Sequence, residues 1–188
     1  MEINEMKEIL KTMLPEKRLI HSLNVVKEAI KLSKIYEIDK DKSEIAALLH
    51  DCAKYFNKDQ VSHYVNKYNI KLDDMEREDI ALSHSIIGSY IAKYEFNIND
   101  EEILNGIRYH TTGRENMSLF EKIIYIADLI EEGRKFPGLD ELREKAYNKK
   151  LDEALLISFN NTIKYVIDID KLIHPRTIKA RNYILQNK

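Results

Sequence analysis

Ser118-Leu119-Phe120-Glu121-Lys122-Ile123-Ile124-Tyr125-Ile126-Ala127-Asp128-Leu129-Ile130 is the stretch that settles the kind of chain this is. Ser118 and Glu121 have capping-box spacing, and Ile123, Ile124, Ala127 and Ile130 follow at helical steps. The same pattern extends in both directions. Upstream, Leu19, Leu23, Val26 and Ile30 draw one stripe along a segment that begins after Pro15. Asp41 with Glu44 predicts a helix start ahead of Ile45, Leu48, Leu49 and Cys52, and Asn99 with Glu102 predicts another ahead of Ile103 and Ile107. Downstream, 151–166 and 175–185 read as amphipathic helices. The breaks at 69–74, 96–100, 111–117 and 132–140 are short and polar, and no stretch alternates convincingly enough for a strand. The expected fold is all-α, a single compact helical bundle.

Composition narrows the function classes. The chain has 188 residues, 44% of them apolar, enough for one domain to close a core without staples. Thirty Lys and Arg stand against 32 Asp and Glu, a net charge of -2. That balance lacks the basic excess of a general nucleic-acid binder, and the few basic residues over 171–181 read as solvated helix surface. One cysteine, Cys52, excludes an internal disulfide framework and fits a reducing compartment. No apolar run approaches a membrane span, and Met1-Glu2-Ile3-Asn4-Glu5-Met6 lacks the basic and apolar regions of a signal peptide. A cytoplasmic protein, with no membrane partner, is the expectation.

The chemistry-bearing residues sit in unexpected places. His50-Asp51 ends the apolar run 45–49, with Lys54 three residues on and near the same face. His21 lies between Ile20 and Leu23, His84 precedes Ile86 and Ile87, and His110 closes a segment bearing Ile103 and Ile107. Asp128 falls among Ile126, Ala127, Leu129 and Ile130, a costly position for a carboxylate unless something neutralises it. Singly, each histidine reads as a satisfied core or rim residue, and Asp128 could pair with Lys or Arg. Jointly, four histidines and two aspartates leaning inward exceed what structural hydrogen bonds satisfy. A divalent metal answers all of them, and imidazole with carboxylate suits iron, manganese or zinc better than calcium or magnesium. Thr111-Thr112-Gly113-Arg114 and Gly133-Arg134-Lys135-Phe136-Pro137-Gly138 are loops placed to contact a ligand. His63 and His174 fall outside the pattern as structural or exposed residues, and Cys52 reads as a core thiol.

The order His21, His50-Asp51 with Lys54, His84, His110, Asp128 resembles the dinuclear HD-domain metal phosphohydrolases. More narrowly, His50-Asp51-Cys52-Ala53-Lys54, His110-Thr111-Thr112-Gly113-Arg114 and Ala127-Asp128-Leu129-Ile130-Glu131 resemble the YqeK-type bacterial proteins, symmetrical diadenosine tetraphosphatases. The resemblance runs from about Arg18 to the Pro175-Arg176 region. It implies a metal-binding core over about 18–135, with C-terminal helices over 138–188 packed on it. It also implies two divalent metals, iron being usual and manganese or another transition metal able to substitute. Asp51 would bridge them, with His21, His50 and Asp128 completing one site and His84 and His110 the other. A metal-bound water or bridging hydroxide would then be the nucleophile, and diadenosine tetraphosphate would yield two ADP.

Around that centre, Lys54 would give a phosphate a point charge and Arg114 or Arg134 a bidentate fork. Thr111, Thr112 and Gly113 would supply hydrogen bonds, and Arg18, one helical turn before His21, would stand at the rim. The implied partner is a dinucleoside polyphosphate or an ADP- or GDP-like nucleotide, and a homodimer stays open. Two other functions fit less well. One is a different HD-type phosphohydrolase, a 5′-nucleotidase or nucleoside-triphosphate hydrolase. The other is a non-enzymatic nucleotide-binding module, against which the full ligand set and Lys54 argue.

Overall fold

The computed structural model describes residues 1–187 and contains, among them, eleven α-helices and no strand. In order these are α1 (Ile3–Met13), α2 (Glu16–Tyr36), α3 (Lys40–Leu49), α4 (Lys58–Lys67), α5 (Asp74–Glu78) and α6 (Ile80–Tyr94). Then follow α7 (Glu101–Tyr109), α8 (Leu119–Ile130), α9 (Leu139–Tyr147), α10 (Leu151–Asp168) and α11 (Pro175–Gln186). The all-α expectation holds, and α8 is its axis. Phe120, Ile123, Ile124, Tyr125, Ile126, Ala127 and Ile130 are all buried, because α2, α3, α7, α9 and α10 all pack against α8. A helix apolar on most of its circumference is stable only inside such a shell.

Two helix starts differ from the sequence expectation. Asp39, not Asp41, caps α3, its Oδ1 accepting from the Asp41 and Lys42 amides at 2.9 and 3.0 Å. Asp100, not Asn99, caps α7 by accepting from the Glu102 and Ile103 amides. In both cases an aspartate sits on extended backbone one or two residues from the residue expected to cap, and spacing alone does not distinguish the two. Ser118 does cap α8, accepting from the Glu121 amide at 3.1 Å. The reciprocal half of that box is missing, since the buried Glu121 carboxylate takes the Arg114 guanidinium instead.

Close approach of helices draws the centre together. A Cβ on Gly106 of α7 would lie 2.8 Å from the Phe120 ring, so only glycine lets α7 and α8 meet there. α6 packs along α7, which puts His84 beside His110. Cys52 is fully buried, and burial foremost pushes its thiol up to about 12, consistent with an inert core residue.

Candidate metal centre

Four helices deliver one imidazole each. His21 rides on α2 and His84 on α6, while His50 and His110 are the C-caps of α3 and α7. α3 does not continue through His50 as a regular helix. Successive three-residue turns follow, with Cys52 bonding back to Leu49 and Lys54 back to Asp51. That tightening turns the Asp51 carboxylate into the space where the four rings meet. Asp128 enters the same space from the last turn of α8.

The orientation of the rings is set by their outer nitrogens. Nδ1 of His50 lies 2.7 Å from the Ala47 carbonyl, that of His84 3.0 Å from the Ile80 carbonyl, and that of His110 2.8 Å from the Ile107 carbonyl. A carbonyl only accepts, so these three Nδ1 atoms each carry a proton and each ring turns its Nε2 inward. His21 Nδ1 meets the Glu131 carboxylate at 3.1 Å and follows the same rule. Such outer partners are what orient metal-ligating histidines.

The two Asp51 oxygens divide the lone pairs between them. Oδ2 lies 3.3 Å from His50 Nε2 and 3.7 Å from His21 Nε2. Oδ1 lies 3.0 Å from His84 Nε2 and 3.5 Å from His110 Nε2. Asp128 Oδ1 joins the first group, 3.0 Å from His21 Nε2 and 3.9 Å from His50 Nε2. His50 and Asp51 are 0% and 2% exposed, yet His50 Nε2, His21 Nε2 and Asp51 Oδ1 have no hydrogen-bond partner. His84 Nε2 and His110 Nε2 face each other at 3.2 Å, two lone pairs that repel unless a cation or proton lies between them. Orphaned inward donors of nitrogen and carboxylate oxygen are a site that fits a divalent cation, with Asp51 shared by two positions.

The titration behaviour expresses the same unmet demand. Burial drives His84 down to about 4, helped by the Lys54 ammonium, and burial also lowers His110. Burial opposes a charge on His50 as well, but the Asp51 carboxylate outweighs it and His50 is raised. Burial would raise Asp51, yet the His50 imidazole beside it, together with those of His110 and His84, holds it well below the carboxylate range. Asp128 is likewise held low against burial by His21 and Arg134.

Of the residues expected at the substrate, four face this centre. Arg18 binds Asp51 Oδ2 at 2.8 Å, and Lys54 Nζ lies 3.2 Å from His84 Nε2 and 3.8 Å from Asp51 Oδ1. Arg134 donates to the Asp128 carboxylate and, at 2.9 Å, to the Asp128 carbonyl. Thr111 Oγ1 lies 3.2 Å from His110 Nε2 and 3.3 Å from His84 Nε2. The other three are turned to internal partners. Thr112 is buried, donating to the Gly113 carbonyl and touched by Arg176 at 3.4 Å. Gly113 has φ +63, and a Cβ there would come within 2.6 Å of the Phe159 ring, so its identity is explained by the fold. Arg114 forks onto Glu121 at 2.9 and 2.7 Å and leans over the Tyr109 ring.

Sequence reasoning missed two supports. Glu131 follows Asp128 by three residues and is buried at 3% exposure, where its carboxylate meets His21 Nδ1. Arg176 at the start of α11 bridges Thr112 and the buried Glu76. His174 is neither loose nor idle: it caps α11 and is held by Asp73. His63 is exposed.

Comparison with known proteins agrees with this geometry. The HD domain family profile matches residues 18–133. The chain is 40% identical over 184 residues to a Staphylococcus aureus (strain NCTC 8325 / PS 47) protein named bis(5'-nucleosyl)-tetraphosphatase, symmetrical, covering 97% of this chain and 94% of that one. It is 37% identical to a Bacillus subtilis (strain 168) protein of the same name, covering 93% of each. A crystal structure described as a "predicted HD superfamily hydrolase involved in NAD metabolism" from Clostridium acetobutylicum superposes with TM-score 0.95 at 45% identity, covering 100% of this chain and 99% of that one. A family profile matched over more than half of the chain, and likeness over nearly the full length to these proteins, lead to one conclusion: this chain, with its imidazole and carboxylate cluster on an all-helical scaffold, belongs to the HD-domain family.

Proposed function

We propose that the chain is a metal-dependent phosphoric anhydride hydrolase that cleaves diadenosine tetraphosphate symmetrically into two ADP. The observation that carries this reading is the division of Asp51, one oxygen toward His21 and His50 and the other toward His84 and His110. The names of the relatives, which match nearly end to end, supply the substrate class. His21, His50, Asp51 and Asp128 would hold one divalent metal and Asp51, His84 and His110 a second, iron or manganese being the natural choices for this donor set. A metal pair so placed would neutralise phosphoryl oxygens and lower the pKa of water.

The chain's own residues do the rest. Arg18 and Arg134 stand at 21% and 33% side-chain exposure, each with its guanidinium already on a carboxylate of the centre. In the loaded enzyme these forks are placed to take polyphosphate oxygens, for which guanidinium geometry is suited. Lys54, beside Asp51 Oδ1, adds a point charge on the His84 side. Thr111 offers its hydroxyl on the same side, while Thr112, Gly113 and Arg114 keep its loop in place. The positive charge is thus arranged on both sides of the centre, matching a substrate whose scissile anhydride is flanked by phosphates in both directions.

The test is product analysis after loading with iron(II) or manganese. ADP as the sole nucleotide product is expected; ATP with AMP would overturn symmetrical cleavage, and free adenosine or inorganic triphosphate would point to another HD phosphohydrolase.

A further inference from the structure

Arg134 does not only face the centre. On its other side opens a cleft of about 760 Å³ lined by Leu129, Phe136, Asn161, Thr162 and Tyr165. Its size lies within the range of small-molecule sites, and its lining has their character: apolar and aromatic walls with a few convergent polar groups. The Asn161 side chain makes no hydrogen bond among the described residues. Ser158 Oγ, buried at the floor beside the Tyr125 phenol, has no partner of full hydrogen-bonding geometry. Tyr165 stands 62% exposed at the mouth, where Lys135 and Lys164 are also exposed. None of these groups belongs to the cluster around Asp51. Leu129 and Phe136 also pack against the core, and Ser158 and Thr162 stand against the Tyr125 phenol. That leaves the Asn161 amide and the exposed Tyr165 ring as the side chains that packing does not account for.

An amide that both donates and accepts matches the amino and imine edge of adenine, and aromatic walls suit its faces. Lysines at the mouth suit the phosphates that follow. Arg134, bonded to Asp128 on one side and lining the cleft on the other, spans the two places. We infer that this cleft receives one adenosine end of the dinucleotide, its base against Phe136 and Tyr165 and its edge on Asn161, while Arg134 carries the phosphate that links cleft to centre. This rests on the diadenosine tetraphosphate reading and adds to it the place of the nucleoside.

The test is calorimetric titration of the metal-loaded full chain with ADP, beside steady-state hydrolysis of diadenosine tetraphosphate. Phe136→Ala and the more exposed Tyr165→Ala are each expected to weaken ADP about tenfold. Both should raise KM by a similar factor with kcat changed less than about twofold, because they bind a part of the substrate remote from the reacting phosphorus. Tyr94→Ala, an exposed aromatic on α6, should leave ADP affinity unchanged, and thermal melts of all three should show a folded chain. ADP binding equal to wild type in both cleft variants would overturn the cleft while leaving the reaction standing. Weakened ADP binding in the variants of a protein that yields no ADP from diadenosine tetraphosphate would support the cleft and overturn the reaction. No ADP binding by the wild type would overturn the cleft outright.

Discussion

Among the described residues, two clusters bring histidine and carboxylates within ligand distance of one another, and they behave in opposite ways. One is the centre around Asp51. The other joins Asp73, Glu76 and His174 where α5 meets α11. In the second, every polar atom has an answer. His174 Nδ1 accepts from the Arg176 amide at 3.1 Å, and its Nε2 donates to Asp73 Oδ2 at 3.0 Å. Asp73 Oδ1 caps α5 by accepting from the Glu76 amide, and Arg176 neutralises Glu76 at 2.9 Å. In the first, Nε2 of His21, Nε2 of His50 and Oδ1 of Asp51 are buried together and remain without a hydrogen-bond partner. Proximity of ligand-type residues is common to both; unanswered lone pairs belong to one. That difference separates a binding site from a clasp between two helix ends.

The contrast breaks if removing Asp51 spares the metal. Asp51→Asn is expected to abolish measurable turnover and to drop the bound metal from about two equivalents to below one, with helical content retained, as elemental analysis and circular dichroism would show. Glu131→Gln should act one step out. It keeps the ring of His21 in place but weakens its orientation, lowering metal affinity about 10–100-fold in a competition titration with a chelator. His174→Ala should do the reverse of both. It removes the α11 cap and costs about 1 kcal/mol in denaturant unfolding, while metal content stays at the wild-type value. A loss of metal in that variant would make the clasp a second site and dissolve the comparison.

The smallest effect concerns pH. Burial would raise the Asp73 carboxyl, but the Glu76 amide, His174 and Arg176 together hold it below its ordinary value. A carboxyl depressed in the folded state contributes stability above its unfolded pKa and loses it as pH falls through the folded one. Thermal melts from pH 6 to about 3 should therefore show Asp73→Asn less stable than wild type at the upper end, the gap closing at the lower. The side chain is 48% exposed, so the gap is expected to be small.

What could be read from the letters alone was a matter of period and rarity. Helical spacing places a residue on a face, and so His21, His50, His84, His110 and Asp128 could be seen to lean inward together. Asp51 is harder, because the helix ends at His50 and its direction depends on the turns that follow. Loop residues carry no period. Arg114 looks like a free cation until the fold of its loop brings it over Glu121, and Gly113 looks like a phosphate cradle until Phe159 arrives from α10. Aspartates stand in the neighbourhood of both misplaced helix starts, and the choice between neighbours is made by backbone shape that spacing does not encode.

Phe159 over Gly113 and Arg176 on Thr112 have a consequence for where this enzyme ends as a working unit. The stretch matched by the family profile stops at 133, before either of them. A fragment trimmed to that stretch would retain all four imidazoles and both aspartates of the centre. It would lose the ring that pins the glycine and the guanidinium that steadies the threonine beside it. It would also lose Arg134 from Asp128 and the α9 and α10 cover of α8, so the border of the family profile falls short of the unit that keeps this centre assembled.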